Sequence, residues 1–327
     1  MVSPNFGLIF HWGVYSVPAY DDPVSAKRRR TQNGSEWYMK RLLETGNYRP
    51  ISGWKETQAY HKTNYFNLTY YDLARWFNTY DDQRPWNPDE WMDLAVEVGA
   101  SYVILTAKHH DGFCLWPTQN TSFLSGSSKE DIIGRFKDSA ERHGLRFGLY
   151  YSWSEFERGV TKDYIDNIMI PQIEELEKYQ PSIWWFDGHW SILTKYAQDK
   201  INTITSRLKK NGIEVNDRIY GPKDTSFEDP NYLGNATFRV YGDRYIPQEV
   251  PTVPWEHINT IGLSWGRNIA QIEEDYKTPE ELYDLWKEVR GKNGRFLLNL
   301  GPDYNGALDE YEVSALRGFA SYKIDQE

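Results

Sequence analysis

Helix-like stretches alternate with short apolar runs along much of this chain, and this alternation constrains its fold more than any other feature. Four pairs are clear, each a helix-like stretch followed by an apolar run: residues 88–98 and 102–106, 131–143 and 146–150, 163–179 and 182–186, and 279–290 and 296–300. Each helix-like stretch ends near a glycine or a proline. Repeated helix-then-strand order is typical of a parallel sheet covered by helices, because parallel strands need long crossover connections.

Four further strands are predicted, which brings the total to eight: residues 6–10, 213–216, 237–241 and 260–264. Eight parallel strands favour an α/β fold of the (β/α)8 barrel type. A doubly wound open sheet is the alternative, although no Gly-x-Gly-x-x-Gly motif follows any predicted strand. In a barrel, residues 14–86 and 217–259 are loops over the active face, and we expect residues 1–327 to form a single catalytic barrel domain.

Charge and hydropathy exclude two classes of partner. The net charge of −10 and the pI near 5.3 argue against nucleic-acid binding, which needs a concentrated basic face. Mean hydropathy is −0.72 and there is no apolar run of about 18 residues, so we expect no membrane-spanning helix. The one cysteine, Cys114, excludes an internal disulfide and a cysteine-rich zinc site.

Polar, titratable and aromatic residues follow the predicted strands, where a barrel places its active site. They are His11-Trp12 after the first strand, Lys108-His109-His110-Asp111 after the second, Tyr151-Ser152-Trp153 after the third, and Asp187-Gly188-His189-Trp190 after the fourth. Aromatic residues make up 16% of the chain. This content is explained by an aromatic core, or in part by a site that stacks rings on the apolar faces of a sugar.

Asp187 is the most informative single residue, because an apolar run leads directly into its carboxylate. One interpretation is a cap for the next helix. The other is a nucleophile or base at a strand end, which could attack an anomeric carbon while a second carboxyl protonates the leaving oxygen.

His109 and His110 could be metal ligands, but adjacent residues of a strand point to opposite sides, and no clustered partner accompanies them. Donors to substrate hydroxyls fit this pair better, although one of the two could have a structural role. No phosphate loop occurs.

From Phe6 to Phe319 the chain resembles the α-L-fucosidases of glycoside hydrolase family 29. The resemblance rests on several segments in order: Phe6-Gly-Leu-Ile-Phe-His-Trp-Gly13, Glu36-Trp-Tyr38, Trp86-Asn-Pro-Asp-Glu-Trp91, Lys108-His-His-Asp-Gly-Phe113, Leu115-Trp-Pro117, Gly144-Leu-Arg-Phe-Gly-Leu-Tyr-Tyr-Ser152, Trp185-Phe-Asp-Gly188, Asn216-Asp-Arg218, Pro254-Trp-Glu256, Ser264-Trp-Gly266 and Lys292-Asn-Gly-Arg-Phe-Leu-Leu-Asn-Leu-Gly-Pro302.

The resemblance implies a (β/α)8-like barrel and retaining, exo-acting hydrolysis of α-L-fucosides, with no metal or organic cofactor. It places the nucleophile at Asp187. The positions that resemble the family's fucose-binding residues are His11, Glu36, Trp37, His109, His110, Tyr151, Trp185 and Arg218. The implied partner is a fucosylated oligosaccharide or glycoconjugate, and the oligomeric state stays open.

The acid/base carboxyl is less well defined, because its position varies in the family. Alignment on Pro247 puts Gln248 at the acid position, and a shift of one residue puts Glu249 there, which we prefer. Asp229 and Glu256 are the other candidates. If Gln248 occupies the site, hydrolysis should be poor, since an amide cannot protonate the leaving oxygen. The alternative function is then a fucose-binding barrel that has lost its general acid.

Two further differences from the family concern the chain's end and one residue near the nucleophile. The chain stops after a last helix-like stretch at residues 309–322, so we expect it to lack the family's usual C-terminal β-sandwich. His189 stands where a smaller or acidic residue is more usual. The first residues predict no signal peptide, which favours the cytoplasm unless a leader is absent from this sequence. Four Asn-x-Ser/Thr sequons and the family's habit favour a secreted, lysosomal or periplasmic-type compartment instead, which we expect.

Overall fold

Seven parallel strands form one sheet in the computed structural model, which describes residues 6–29, 34–47, 50–78 and 86–326. They are β1 (Phe6–Phe10), β2 (Tyr102–Lys108), β3 (Arg146–Ser152), β4 (Ile183–Asp187), β5 (Glu214–Val215), β6 (Glu256–Thr260) and β7 (Arg295–Leu300). Their order in the sheet is β5-β4-β3-β2-β1-β7-β6. Neighbours in sequence are thus neighbours in space, as expected of a barrel.

A segment without regular strand structure closes the barrel between β5 and β6. The Thr237 amide donates to the Val215 carbonyl at 2.7 Å, and the Glu256 amide donates to the Arg239 carbonyl at 2.9 Å. Single parallel bridges join this segment to both neighbours. It therefore takes the eighth position of a (β/α)8-like barrel, and the doubly wound open sheet is excluded.

Helices surround the barrel. The α-helices are α1 (Pro23–Arg29), α2 (Tyr38–Leu42), α3 (Trp54–Tyr65), α4 (Tyr70–Leu73), α5 (Pro88–Glu97), α6 (Ile132–Arg142), α7 (Lys162–Tyr164), α8 (Ile170–Glu177), α9 (Lys195–Lys210), α10 (Pro279–Gly291) and α11 (Glu310–Gln326). A π-helical turn, Ile165–Met169, joins α7 to α8. Short 3-10 turns occur at Val14–Ser16, Ser35–Trp37, Ala74–Trp76, His189–Ser191, Thr225–Glu228 and Glu273–Asp275.

Local sequence explains where the helices that precede strands begin. The side chains of Asn87, Asp131 and Thr194 accept hydrogen bonds from backbone amides in the first turns of α5, α6 and α9. Thr278 and Glu281 form a reciprocal capping box at the start of α10. Such caps satisfy amides that have no partner within the helix.

Alternation along the strands separates two apolar layers. On β4, Ile183 and Trp185 point into the barrel, whereas Trp184 and Phe186 pack against the helices. Asp187 follows in the inward register, because side chains alternate with period two. The barrel interior holds Ile9, Tyr102, Ile104, Tyr150, Ile183, Trp185, Phe238, Val240, Ile258, Trp265 and Leu297. The alternation thus directs the end of β4 into the barrel mouth.

One predicted strand is misplaced, and two are shorter than predicted. Residues 261–264 follow β6 rather than form it, since the strand is Glu256–Thr260. Most residues of β6 are polar, so the segment has no apolar run that would predict a strand from the sequence. Glu256 is buried, and it accepts hydrogen bonds from the Tyr102 hydroxyl at 2.7 Å and the Trp185 indole at 2.9 Å. The strand predicted at 213–216 is reduced to β5, and that at 237–241 to single bridges.

No helix in the described ranges is long and apolar enough to cross a membrane. The assignment of residues 1–327 to a single domain stays a prediction.

Burial of one carboxyl against the end of β7 predicts a pH-dependent stability. Glu312, on α11, accepts a hydrogen bond from the Gly301 amide at 3.0 Å, and burial raises the pKa of its carboxyl from 4.5 to about 7. The folded chain therefore retains a proton that the unfolded chain releases. Glu312 favours the folded state fully below pH 4.5, and this contribution is lost as the pH rises through 7.

Glu312→Gln mimics the protonated form of this carboxyl. We expect the variant to become more stable relative to wild type as the pH rises. Relative to wild type, its free energy of unfolding should gain on the order of 3 kcal/mol between about pH 4 and about pH 8. Urea denaturation at several pH values measures this. A difference between the two proteins that is constant with pH would contradict the assignment.

Candidate active site

A cavity of about 300 Å³ opens at the carboxyl ends of the strands. Thirteen residues line it: His11, Glu36, Trp37, His109, His110, Tyr150, Trp185, Asp187, Trp190, Arg218, Asp243, Ile258 and Trp265. Eight of them are site residues predicted from the sequence: His11, Glu36, Trp37, His109, His110, Trp185, Asp187 and Arg218. Its volume is at the lower end of the range for small-molecule pockets, which suits a single sugar ring.

Asp187 is the last residue of β4, and its carboxylate is the centre of the site. It accepts hydrogen bonds from Arg218 Nη1 at 2.9 Å on one oxygen and from the Tyr150 hydroxyl at 2.8 Å on the other. His110 Nε2 lies 3.5 Å from the second oxygen. Gly188 follows with φ of 78°, where a Cβ would lie 2.9 Å from the Ser154 amide. A glycine is therefore required to turn the chain directly after the carboxylate.

The surroundings of Asp187 hold it ionised. Burial alone would raise its pKa, but the guanidinium of Arg218, followed by His110, outweighs burial and holds the pKa of Asp187 well below its usual range. Arg218 also forms an ion pair with Asp243, which lines the same cavity. An ionised, buried and hydrogen-bonded carboxylate at a strand end is suited to nucleophilic attack and not to helix capping.

Two histidines present neutral rings to the cavity. Burial lowers the pKa of His11 to about 4 and that of His109 well below its usual range. His11 Nδ1 lies 2.5 Å from the side-chain oxygen of Asn299, whose amide nitrogen donates to the Trp265 carbonyl. This oxygen fixes the proton on Nδ1, which leaves Nε2 of His11 as an acceptor. His109 Nδ1 is buried without a hydrogen-bond partner among the described residues.

His109 and His110 both face the cavity, with ring centroids 4.2 Å apart. The expectation that one of them points away is wrong, because β2 ends at Lys108 and strand alternation does not extend to them. The pairing of β2 with β3 also shifts register between Thr106 and Lys108. Among the described residues, no cluster of three or more His, Cys, Asp or Glu side chains is arranged to hold a metal ion.

Glu36 and Trp37 come from a 3-10 turn in the loop after β1. The Glu36 carboxylate accepts hydrogen bonds from the amides of Gly34 at 2.6 Å, and of Trp265 and Gly266 at 3.2 Å each. These contacts tie the first loop to the loop after β6. The Trp37 ring lies 5.6 Å from the ring of His110, so the indole forms one wall of the cavity.

Trp185 and Trp265 form apolar walls that are backed by cations. The guanidinium of Arg218 lies 4.7 Å from the centre of the Trp185 ring, and that of Arg244 lies 4.8 Å from the centre of the Trp265 ring. Glu256 fixes the Trp185 indole by accepting its N–H. Both rings are therefore fixed by contacts with neighbouring side chains, and both line the cavity.

Tyr151, predicted to bind the sugar, lies on the other face of β3. It is buried between the sheet and the helices, where its hydroxyl donates to Gln172 at 2.7 Å and accepts from Lys108 at 3.2 Å. Tyr150 faces the cavity instead. The sequence offers two adjacent tyrosines, and residue type alone does not say which one points inward.

The two tyrosines give a matched pair of variants. Tyr150→Phe removes a hydrogen bond to the Asp187 carboxylate, and we expect kcat/KM on an aryl α-L-fucoside to fall roughly 10- to 100-fold, since such bonds are worth about 1.5–3 kcal/mol. Tyr151→Phe should change it less than about 3-fold but lower the midpoint of urea unfolding, because Gln172 and Lys108 lose a partner. The reverse order of kinetic effects would contradict this placement.

None of the predicted acid/base candidates lines the cavity. Glu249, Gln248 and Asp229 are exposed on its outer loops, and Glu256 is buried below Trp185. Asp243, six residues before Glu249, lines it instead and forms an ion pair with Arg218. Alignment on Pro247 does not select a cavity-lining residue, because Asp243 in the turn at Gly242–Arg244 is the residue of this loop that lines the cavity. Arg244 has φ of 57°, a strained conformation that is common near functional sites.

The family model described as "Alpha-L-fucosidase" matches residues 3–324. The chain belongs to the α-L-fucosidase family. An α-L-fucosidase of Dictyostelium discoideum is 31% identical over 95% of the chain and 66% of its own length. Human tissue α-L-fucosidase is 28% identical over 93% of the chain and 62% of its own length. The chain thus spans just under two thirds of the length of these curated relatives.

The fold agrees with a solved structure of this family. The structure of Thermotoga maritima α-fucosidase in complex with fucose has a TM-score of 0.77 and 29% identity, and the match covers 99% of this chain and 73% of that one. This structural match confirms the barrel that was predicted for this chain.

Five residues that line the cavity were not assigned a role from the sequence: Tyr150, Trp190, Asp243, Ile258 and Trp265. Trp190 was expected near the active site, because it follows the fourth predicted strand, and Trp265 stands within a segment that carries the family resemblance. Asp243 lies in an irregular loop and gave no periodic signal.

Proposed function

We propose that this chain is the catalytic part of a retaining, exo-acting α-L-fucosidase. The observation that carries the proposal is the ionised Asp187 at the end of β4, in a cavity of sugar size that a second carboxyl, Asp243, also lines. Membership of the family and the fucose bound by the Thermotoga maritima relative support the substrate class.

Asp243 replaces Glu249 as our candidate for the acid/base. Arg218 contacts Asp187 with one terminal nitrogen and Asp243 with the other. One planar guanidinium therefore holds the two carboxyl groups near each other. A nucleophile and a second carboxyl at one site are the pair of groups that a retaining glycosidase needs.

The proposed reaction has two balanced steps. An Asp187 oxygen bonds to the anomeric carbon as the bond to the leaving oxygen breaks, and Asp243 in its acid form gives that oxygen a proton. The fucosyl-enzyme ester is then attacked by water at the anomeric carbon. Asp243 takes the water proton, and Asp187 leaves as a carboxylate. Each step inverts the anomeric carbon, so the overall outcome is retention.

Neutral histidines and the Glu36 carboxylate provide acceptors and donors for sugar hydroxyls around the ring. Trp37, Trp185 and Trp265 add apolar surface to the same cavity, which suits the methyl group of a 6-deoxy sugar. Arg218 was predicted to bind the sugar. In this proposal it also holds both carboxyl groups.

Proton NMR during hydrolysis of 4-nitrophenyl α-L-fucoside tests the proposal. We expect α-L-fucose to form first, with the β anomer appearing only by mutarotation. First-formed β-L-fucose would contradict a retaining mechanism. If the protein hydrolyses neither this fucoside nor a fucosylated oligosaccharide, yet fucose raises its melting temperature, the alternative of a fucose-binding barrel is correct.

The physiological partner in this proposal is a fucosylated glycan, and a secreted, lysosomal or periplasmic-type location stays part of it. Three sequon asparagines lie in the described residues: Asn67 is exposed, and Asn120 and Asn235 are half-buried. Asn33, the fourth, lies outside the described residues. Asn120 donates to Glu175 at 2.7 Å, so Asn67 is the best placed of the three to carry a glycan.

A further inference from the structure

Two partly exposed residues, Trp190 and Asp243, lie at the mouth of the cavity. Most lining side chains are buried, whereas Trp190 is 42% exposed and the Asp243 side chain is 35% exposed. Asp187, by comparison, is 7% exposed. A fucose ring whose anomeric carbon meets Asp187 must therefore direct its leaving group outward, past Asp243 and Trp190.

Trp190 is held at this mouth by its surroundings. It lies in the 3-10 turn His189–Ser191, and the Ser191 hydroxyl donates to the Ser154 hydroxyl at 2.9 Å. The ring lies 5.2 Å from the ring of His110 and 6.4 Å from that of Trp37. These ring contacts with two other cavity-lining residues fix the indole, while a large part of it stays open to solvent. Trp190 thus combines solvent exposure with a place in the cavity lining, which makes its ring accessible to a ligand that extends out of the cavity.

On the basis of the proposed function, we propose that Trp190 is the platform for the leaving-group sugar, which makes this rim a second sugar-binding subsite. The ligand class is a pyranose with an apolar face of C–H bonds. Such a face packs on an aromatic ring, while the hydroxyl groups at the edge of the sugar stay in water.

The chemistry of the rim favours a sugar over a leaving group without a ring. Asp243 lies on the same rim and serves the glycosidic oxygen in the proposed mechanism. A leaving group attached to that oxygen is then in reach of both a carboxyl and an indole. A pyranose can contact both groups, because it has hydroxyl groups for the carboxyl and an apolar face for the indole. A leaving group without a ring can contact the carboxyl alone.

The test compares two substrates that differ only in the leaving group. α-L-Fucosyl fluoride has no ring beyond the fucose, and disaccharides of α-L-fucose with galactose or N-acetylglucosamine supply one. We expect Trp190→Ala to lower the ratio of kcat/KM for the best disaccharide to kcat/KM for the fluoride by at least about 10-fold. Trp190→Phe, which keeps a ring, should recover most of that ratio.

Trp76→Ala is the matched control. Trp76 is 38% exposed and does not line the cavity, so its loss should leave the ratio unchanged. Equal losses on the fluoride and on the disaccharide in Trp190→Ala would overturn the proposal, because Trp190 would then serve the fucose itself. Wild-type hydrolysis of the fluoride but of none of the disaccharides would also overturn it.

Failure of the proposed function has a different signature, which is a wild type that does not hydrolyse even the fluoride. Calorimetric titration of wild type and Trp190→Ala with the same disaccharides and with fucose then tests the platform by itself. Weaker binding of a disaccharide with unchanged binding of fucose supports the platform. Equal weakening of both, or no weakening of either, contradicts it.

Discussion

Asp187→Ala is expected to lower kcat on 4-nitrophenyl α-L-fucoside by on the order of 10⁴- to 10⁶-fold, the range seen when the nucleophile of a covalent mechanism is removed. The reason is geometric as well as chemical. Arg218 and Tyr150 aim both carboxylate oxygens, and no other described carboxyl lies at the end of β4. Asp229→Ala is the control, since Asp229 is an exposed carboxylate outside the cavity.

Adding azide to Asp187→Ala tests the same assignment through the anomer of the product. In Asp187→Ala the anion can occupy the space of the missing carboxylate and attack the substrate from that side. We expect azide to restore part of the turnover and to give β-L-fucosyl azide, which proton NMR identifies. Near-wild-type turnover in Asp187→Ala, or an equal loss in Asp229→Ala, would contradict the assignment of the nucleophile.

Asp243→Asn should lower kcat/KM on a fucosylated disaccharide by about 10²–10⁴-fold, the usual contribution of general acid catalysis. The loss on 4-nitrophenyl α-L-fucoside should be smaller, because nitrophenolate leaves with little protonation. Steady-state kinetics with both substrates measures the contrast. A purely structural role for the Asp243–Arg218 ion pair predicts the same loss on both.

Glu249→Gln is the matched control for the acid/base, because it makes the corresponding carboxyl-to-amide change on an exposed side chain six residues further along the same loop. We expect it to leave both substrates within about 3-fold of wild type. In Asp243→Asn, azide should attack the fucosyl-enzyme and give α-L-fucosyl azide, the opposite anomer to the Asp187→Ala product. If Glu249→Gln shows the leaving-group dependence and Asp243→Asn does not, the sequence-based assignment is the correct one.

The parts of the fold that follow from periodicity could be predicted from sequence. Four apolar runs with helix-like stretches before them became β2, β3, β4 and β7, and the apolar residues before Asp187 placed it at a strand end. The strand β6 was misplaced because four of its five residues are polar, although all five are buried. Glu256, for example, bonds Tyr102 and Trp185 inside the barrel, so its segment lacks an apolar pattern.

The parts of the site that depend on loop conformation could not be predicted. Adjacent tyrosines at 150 and 151 are equivalent in sequence, and only the register of β3 shows that Tyr150 faces Asp187. The direction of Asp243 depends on a turn in which Arg244 takes a left-handed conformation that its residue type does not favour. A comparison with the family locates this loop but not the residue within it that points inward.

The two sides of the cavity differ in how well they can accept an inserted residue. One extra residue within β4 would rotate Asp187 from the cavity to the helix layer, since a one-residue slip exchanges the faces of a strand. On the opposite side, the segment before Asp243 pairs with each neighbour through a single bridge and not a continuous strand ladder, and β6 keeps its register through five pairs with β7. Insertions between Tyr245 and Thr252 are therefore a practical route to new leaving-group preferences, with the fucose pocket kept intact.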